Sequence, residues 1–571
     1  MSEYIYNTQA KIMIENLIGF FDDSDIYDIH GGFISNHLND SDSITSNNLM
    51  FKKTNILLYN MISDLEIESK SDSINLSTSI NSTKSSESES STSINSTNSI
   101  DSNSESDSDS DSDSDNFTKR VCQTILNEHF SDQTLNLTNL DKLMRTMLIP
   151  LTNANTITVG VFIKSGSRQE KSAYGIAHFL EHMSFKGTHK RSSEKLMLEL
   201  DSIGANYNAM TGHEFTLYYI SGDPRDVNLI LDIIMDLYLD PIYPESDIVK
   251  ERDVVLEEFR MNEDNSHRVL TNALYSNIYG PIDSTLARPI IGYNNTIEQL
   301  NRSDIMTYRN INYIGSNCLL CVSGNFDVKN VKLQIEKKFN SKLDQQHIES
   351  NMFESNLINN PIIQPILELN PKVSKYINLS KDINQSIIYI VFNAYSTYNK
   401  MINALDLFAD ILSNGFSSRF FNLLRNKMGV SYYNNTFTRT FDDCGQMIIN
   451  VGVDHKSIVK TIKAILNELK NIRLNGITEA ELAKSKKQNE TALLFQFKDP
   501  YEYMMYYGMN TLIGKPLNNL STMLNEINNV SMTDINNVIN NVINKKNIVI
   551  GTMGKVNLDA EKEIIKLIEN F

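Results

Sequence analysis

His178-Phe-Leu-Glu181-His182 constrains this chain more tightly than any other stretch, because a helix through it gathers three polar side chains at one place. At about 100° per residue, His178, Glu181 and His182 fall within an arc of roughly 100° and point the same way. Two imidazoles one turn apart can ligate one zinc ion, and a carboxylate beside them can take a proton from water. The chain holds 10 histidines in 571 residues. A chance H-x-x-E-H is then expected on the order of once in a hundred such chains, so an accidental match on a surface helix is the weaker reading.

Zinc in hydrolases usually takes three protein ligands and leaves a fourth position open. Glu258, 76 residues past His182, is the third candidate. Ser246 to Asn262 around it reads as a helix, with apolar Ile248, Val254, Val255, Phe259 and Met261 and no Gly or Pro. Glu251 and Glu258 are seven residues apart, about two turns, and share one face. Glu257 reads as solvated.

Gly166-Ser-Arg168 and Tyr174-Gly-Ile-Ala-His178-Phe-Leu-Glu181-His182-Met-Ser-Phe-Lys-Gly-Thr188 resemble the active-site segment of pitrilysin/insulinase-type metallopeptidases, which invert the usual H-E-x-x-H order. The likeness runs most strongly to the catalytic subunit of mitochondrial processing peptidase and its bacterial relatives, and extends from about Asn136 to the C-terminus. The resemblance implies one Zn2+ per chain held by His178, His182 and Glu258. It makes Glu181 the general base and Glu251 a supporting carboxylate near the metal. Asn206 to Ile220 is similar to the family's edge strand, on which Asn208 and Ala209 bind substrate backbone; read alone, with Phe215, Leu217 and Tyr219 alternating, it is an ordinary amphipathic strand. In Gly415 to Tyr432, Arg425 and Tyr432 match residues that reach the substrate and the developing oxyanion. Without the resemblance, Arg425 could instead cap its own helix and Tyr432 could be core.

The two halves of this region are self-similar. Ala409-Asp410-Ile-Leu-Ser413-Asn414 can be set against Ala177-His178-Phe-Leu-Glu181-His182 at an offset of 232. Leu319 to Gly324 and Ile548 to Gly554 likewise close each half with an apolar run. The expected fold is α+β: two related sheet-plus-helices halves, a catalytic one over 136–345 and a metal-free one over 375–571. Four such units close a chamber in the insulin-degrading type, so a chain with two is expected to form a homodimer or to pair with a related subunit.

Charge is unevenly placed. Of a formal net charge of −18, residues 64–115 carry −11. From about 67 to 117 the chain is mostly Ser, Asp, Glu, Asn and Thr, which cannot bury enough apolar surface to offset ordering entropy, so a disordered linker is expected. Residues 1–66 show two amphipathic helical patterns, around Ile12 to Phe21 and Leu57 to Leu65, of unassigned role. That segment is acidic and lacks Arg, unlike a mitochondrial presequence, and carries no signal-peptide core. An intracellular, cytoplasmic location with no membrane span is expected. No basic stripe points to nucleic acid. Cys318 and Cys321 lie three apart in an apolar run that reads as a buried strand, where they face opposite sides. His189 and His213 lack ligand spacing and read as structural or exposed.

Two functions remain: a zinc endopeptidase acting on extended peptides or unfolded, presequence-like segments, or a non-catalytic family member serving as partner or scaffold. The retained His178, Glu181, His182, Glu251, Glu258, Arg425 and Tyr432 favour the enzyme. A structural zinc module would need a fourth protein ligand, and none is evident.

Overall fold

The computed structural model describes residues 136–140, 144–280, 285–343 and 366–571. The helices expected within 1–66 and the acidic tract 67–117 lie outside these residues. The first half runs β1 (Asn136–Leu140), β2 (Met144–Pro150), β3 (Ile157–Ile163), α1 (Ile176–Ser184), α2 (Ser193–Ser202), β4 (Asn206–Thr211), β5 (Thr216–Gly222), α3 (Val227–Leu239), α4 (Glu245–Asp264), α5 (Ser266–Tyr279), α6 (Arg302–Asn312), β6 (Cys318–Gly324) and α7 (Val328–Leu343). The second runs β7 (Tyr376–Leu379), β8 (Ser386–Ala394), α8 (Ile402–Ser413), β9 (Ser431–Thr440), β10 (Gly445–Val453), α9 (Ile458–Asn475), α10 (Glu479–Gln496), α11 (Pro500–Ile513), α12 (Leu520–Asn528), α13 (Met532–Val542), β11 (Ile548–Met553) and α14 (Leu558–Glu569).

The expected α+β pair of halves is what the chain forms, and the duplication is visible in the strand order. The first sheet is β1-β2-β6-β3-β5-β4 and the second β7-β11-β8-β10-β9. Leaving out β1, the two orders correspond strand for strand. In each, one parallel pair (β2 with β6, β7 with β11) joins an otherwise antiparallel sheet. The helix that carries His178 has α8 as its counterpart.

Apolar alternation explains how each sheet is covered on both faces. Along β6, Cys318, Leu320 and Val322 enter one core with α1 and α3, while Leu319 and Cys321 enter another on the opposite face. The two cysteines are both fully buried, on opposite sides, as their spacing in a strand requires.

The second face of each sheet is covered by a helix from the other half. Leu270, Leu274 and Ile278 of α5 pack on Tyr389, Val391, Ile448 and Val549 of the second sheet. Reciprocally, Tyr503, Met504 and Tyr507 of α11 pack on Phe162, Leu217 and Leu319 of the first. At roughly 1.5–3 kcal/mol for each large apolar side chain removed from water, this exchange fastens the halves together. It depends on close approach. A Cβ on Gly508 would lie 2.4 Å from the Phe162 ring.

Candidate metal centre

The start of α1 is fixed before its ligands are. Gly175 caps the helix at φ 91°, and a Cβ there would meet the Ile291 carbonyl oxygen at 2.3 Å, so only glycine fits. Oε1 of Glu170 accepts hydrogen bonds from the backbone N–H groups of Gly175 (3.1 Å) and Ala177 (3.0 Å). These are donors near a helix start that would otherwise lack partners. Burial lifts the Glu170 carboxyl to about 8, against the pull of those two amides. All nine residues of α1 are buried, so His178, Glu181 and His182 are held away from bulk water.

α4 crosses beside α1 and supplies two carboxylates from one face. Oε2 of Glu258 lies 3.6 Å from Nε2 of His178 and 3.4 Å from Nε2 of His182. Ligand atoms around a tetrahedral zinc with bonds near 2.0–2.1 Å are about 3.4 Å apart, so Glu258 stands at ligand spacing from both imidazoles. Among the described residues they form the one group of three or more His, Cys, Asp or Glu gathered closely enough for a metal. Glu251 stands behind the cluster. Its Oε1 is 2.9 Å from Nδ1 of His182 and its Oε2 is 2.5 Å from Nζ of Lys186. Glu251 therefore holds the ring of His182 in place, the position an outer carboxylate takes behind a histidine in many zinc sites.

Burial and charge pull the group apart electrically. Burial drives His178 down to about 4, opposed by Glu258. Burial also lowers His182, but Glu251 and Glu258 outweigh it and hold that ring at about 9. Burial would raise Glu258; His178 and His182 keep it ionised at about 2. A neutral His178 ring and an ionised Glu258 are forms a cation needs, whereas His182, held protonated by its two carboxylates, would have to give up a proton to bind one.

Glu181 lies on the same helix, 1% exposed, and its Oε2 accepts a hydrogen bond of 2.8 Å from Thr211 Oγ1 at the end of β4. Burial raises Glu181 to about 7, with His182 and Thr211 opposing. β4 is a sheet edge, and Asn208 and Ala209 sit on it. The Ala209 side chain is buried, and its N–H donates to Oδ1 of Asn208 at 2.9 Å.

Arg425 and Tyr432 are placed together in the second half. An Nη1 hydrogen of Arg425 is donated to the Tyr432 carbonyl oxygen at 3.1 Å, and its guanidinium lies 5.6 Å from the Phe421 ring centre. Tyr432 is 53% exposed, so it is not a core residue. These contacts belong to the second half's own surface.

Residues 145–292 match the family described as Insulinase (Peptidase family M16), and residues 299–489 match Peptidase M16 inactive domain. The chain belongs to peptidase family M16. A protein of Rickettsia felis named an uncharacterized zinc protease is 28% identical over 364 residues, 63% of this chain and 84% of the relative. The uncharacterized zinc protease YmxG of Bacillus subtilis is 27% identical over 67% of this chain and 89% of its own. In fold, a crystal structure of a protease from Helicobacter pylori superposes at a TM-score of 0.65 with 20% identity, covering 74% of this chain and 99% of that one.

Within the M16 frame, His178, Glu181, His182, Glu251 and Glu258 all fall in the first match, and Asp410, Ser413 and Asn414 in the second. The second-half residues are satisfied by neighbours: Asp410 accepts from Asn489 at 2.5 Å, and Ser413 pairs with Thr436 at 2.5 Å. His213, which by sequence reads as structural or exposed, lines the cavity beside His178, Thr211 and Glu258, with Nδ1 2.9 Å from Ser167 Oγ. Glu170 lies outside the stretches that carry the resemblance, and Lys186 and Thr211 lie within them without a role assigned from the sequence. Only Thr211 leaves a trace, standing two residues after Ala209 and so on the same face of a strand.

Proposed function

We propose that this chain is a zinc-dependent endopeptidase that cleaves extended peptides or unfolded, presequence-like segments. The observation that carries this is the gathering of His178, His182 and Glu258 within ligand distance of one another, with Glu181 on the same helical turn. His178, His182 and Glu258 would hold one zinc, which when bound would supply Lewis acidity for carbonyl polarisation and for making water nucleophilic near neutral pH.

The chain's own groups do the rest. Oε1 or Oε2 of Glu181 takes a proton from the attacking water and returns it to the departing amine. Thr211 holds one oxygen of that carboxylate, and Glu251 fixes the ring of His182. An extended peptide adds to the free edge of β4 beside Asn208 and Ala209, pairing through its backbone and so with little regard to sequence. Arg425 and Tyr432, exposed on the second half, donate to the peptide and its developing oxyanion. The metal-free half 375–571 thereby completes the catalytic half 136–345. A second copy or a related subunit faces the site; sedimentation of the active protein as a dimer is expected, and a fully active monomer would remove that part.

Chelator-stripped protein should not cleave a quenched fluorescent peptide library, and one equivalent of zinc should restore cleavage. Undiminished cleavage after stripping would overturn the reading.

A further inference from the structure

Gly166, Ser167 and Arg168 carry part of the family resemblance without a role in the chemistry proposed for the site. They follow β3 and lie against the connection from Gly212 to Phe215, which joins β4 to β5 directly after Thr211. Backbone N–H groups of Ser167 and Arg168 donate to the carbonyl oxygens of Gly212 (3.1 Å) and His213 (2.9 Å). Oγ of Ser167 is 2.9 Å from Nδ1 of His213. The approach is close enough that a Cβ on Gly166 would lie 2.2 Å from the Gly212 carbonyl oxygen. Arg168 then takes the next residue of the connection, donating from Nη1 to Oε1 of Glu214 at 2.5 Å.

The same guanidinium reaches the second half. Its Nη1 and Nη2 donate to Oδ1 and Oδ2 of Asp443 at 3.1 and 2.8 Å, a paired contact with one carboxylate. Asp443 lies between β9 and β10, and the N–H of its neighbour Asp442 donates to Oε1 of Glu214 at 3.1 Å. Nε of Arg168 donates to Thr285 Oγ1 at 3.1 Å, so all three guanidinium nitrogens are engaged. Burial pushes the Glu214 carboxyl up to about 7, Asp442 adds to the rise, and Arg168 opposes both. Without the guanidinium, Glu214 would stand largely buried beside Asp442 and Asp443, an arrangement that favours displacement of the connection. Thr211 is one residue away, and its hydroxyl donates to Glu181 at 2.8 Å. Hydrogen bonds weaken steeply as their geometry departs from the optimum, so a shift of the connection is felt at the Glu181 carboxylate.

We propose that Arg168 is a positioning residue: anchored on Asp443 of the second half, it grips the connection after β4 and so sets Thr211 and, through it, Glu181. For its effect on turnover this role rests on the peptidase reading, and the test separates the two. Full-length, zinc-loaded wild type, Arg168→Gln, Arg168→Lys and Asp443→Asn are compared by hydrogen–deuterium exchange over residues 206–222 and by steady-state cleavage of one quenched peptide. Arg168→Gln should speed exchange in that segment and lower kcat by up to about tenfold, the worth of the Thr211 hydrogen bond, with KM and zinc content little changed. Asp443→Asn, at an exposed position, should shift both readouts the same way to a smaller extent, and Arg168→Lys should restore part of each. Introduced into Thr211→Val, Arg168→Gln should lower kcat by less than about a further twofold, because its route to Glu181 is already cut. Effects on kcat that multiply in full overturn the proposal, as do unchanged exchange in Arg168→Gln, loss of zinc, or a rise in KM alone. A zinc-loaded wild type that cleaves nothing removes the peptidase reading and the positioning role with it. A wild type that cleaves, with substitutions that act independently, removes the positioning role only.

Discussion

Nδ1 of His182 lies 2.9 Å from a Glu251 oxygen, and both side chains are nearly inaccessible to water. That contact fixes which nitrogen of the ring faces Glu258. Such an outer carboxylate typically matters by about 10- to 100-fold in metal affinity. Glu251→Gln should therefore fold, bind zinc about 10- to 100-fold more weakly, and show this in a chelator competition; unchanged affinity would remove Glu251 from the site.

Thr211→Val deletes the one hydrogen bond donated to Glu181 by β4 while keeping shape. Turnover should fall by about tenfold, the equivalent of about 1.4 kcal/mol, with KM and zinc content little changed. Thr211→Ser, which keeps the hydroxyl, should recover most of it. Loss of zinc in Thr211→Val would instead mark a structural role.

The amino-acid sequence makes much of this site legible, because the helical spacing of His178, Glu181 and His182 and the two-turn spacing of Glu251 and Glu258 depend only on local periodicity. α1 and α4 each follow it. The edge position of β4 came from the resemblance, whereas the opposite facing of Cys318 and Cys321 follows from strand alternation. What periodicity does not encode is which distant element arrives at a given face. The Thr211 to Glu181 bond spans 30 residues and joins a strand to a helix. The exchange of α5 and α11 between sheets is a tertiary choice that apolar stripes permit without naming the partner. Glu170 and Arg268 are ordinary charged residues in sequence, and only the loop at Ile291 and the cavity beside His178 give them a place.

The α11 exchange makes a stability prediction. Gly508→Val would drive a branched side chain into the Phe162 ring, where even a Cβ comes to 2.4 Å. Overpacking of this kind costs about 1–3 kcal/mol, to be read as a lowered denaturant midpoint. No change would mean that α11 is loosely seated.

Glu481 joins Arg419 to the capping box of α10. Burial would raise this carboxylate, but Arg419 and Thr478 hold it down at about 2. A folded pKa below the unfolded value of about 4.3 means that the unfolded chain binds more protons between those two values. The contribution is therefore complete above about pH 5 and is lost as pH falls towards 2. The gap in melting temperature between wild type and Glu481→Gln should be constant from pH 7 to about 5 and narrow below that. A gap that widens on acidification would refute the assignment.

Zinc content by elemental analysis, measured together with hydrolysis of a quenched peptide library on wild type and Glu181→Gln, tests the central claim most directly. Near one zinc per chain in both proteins, with cleavage abolished only in Glu181→Gln, is the expected result. Wild-type cleavage rates in Glu181→Gln, or purified wild type that cannot take up zinc, would contradict it.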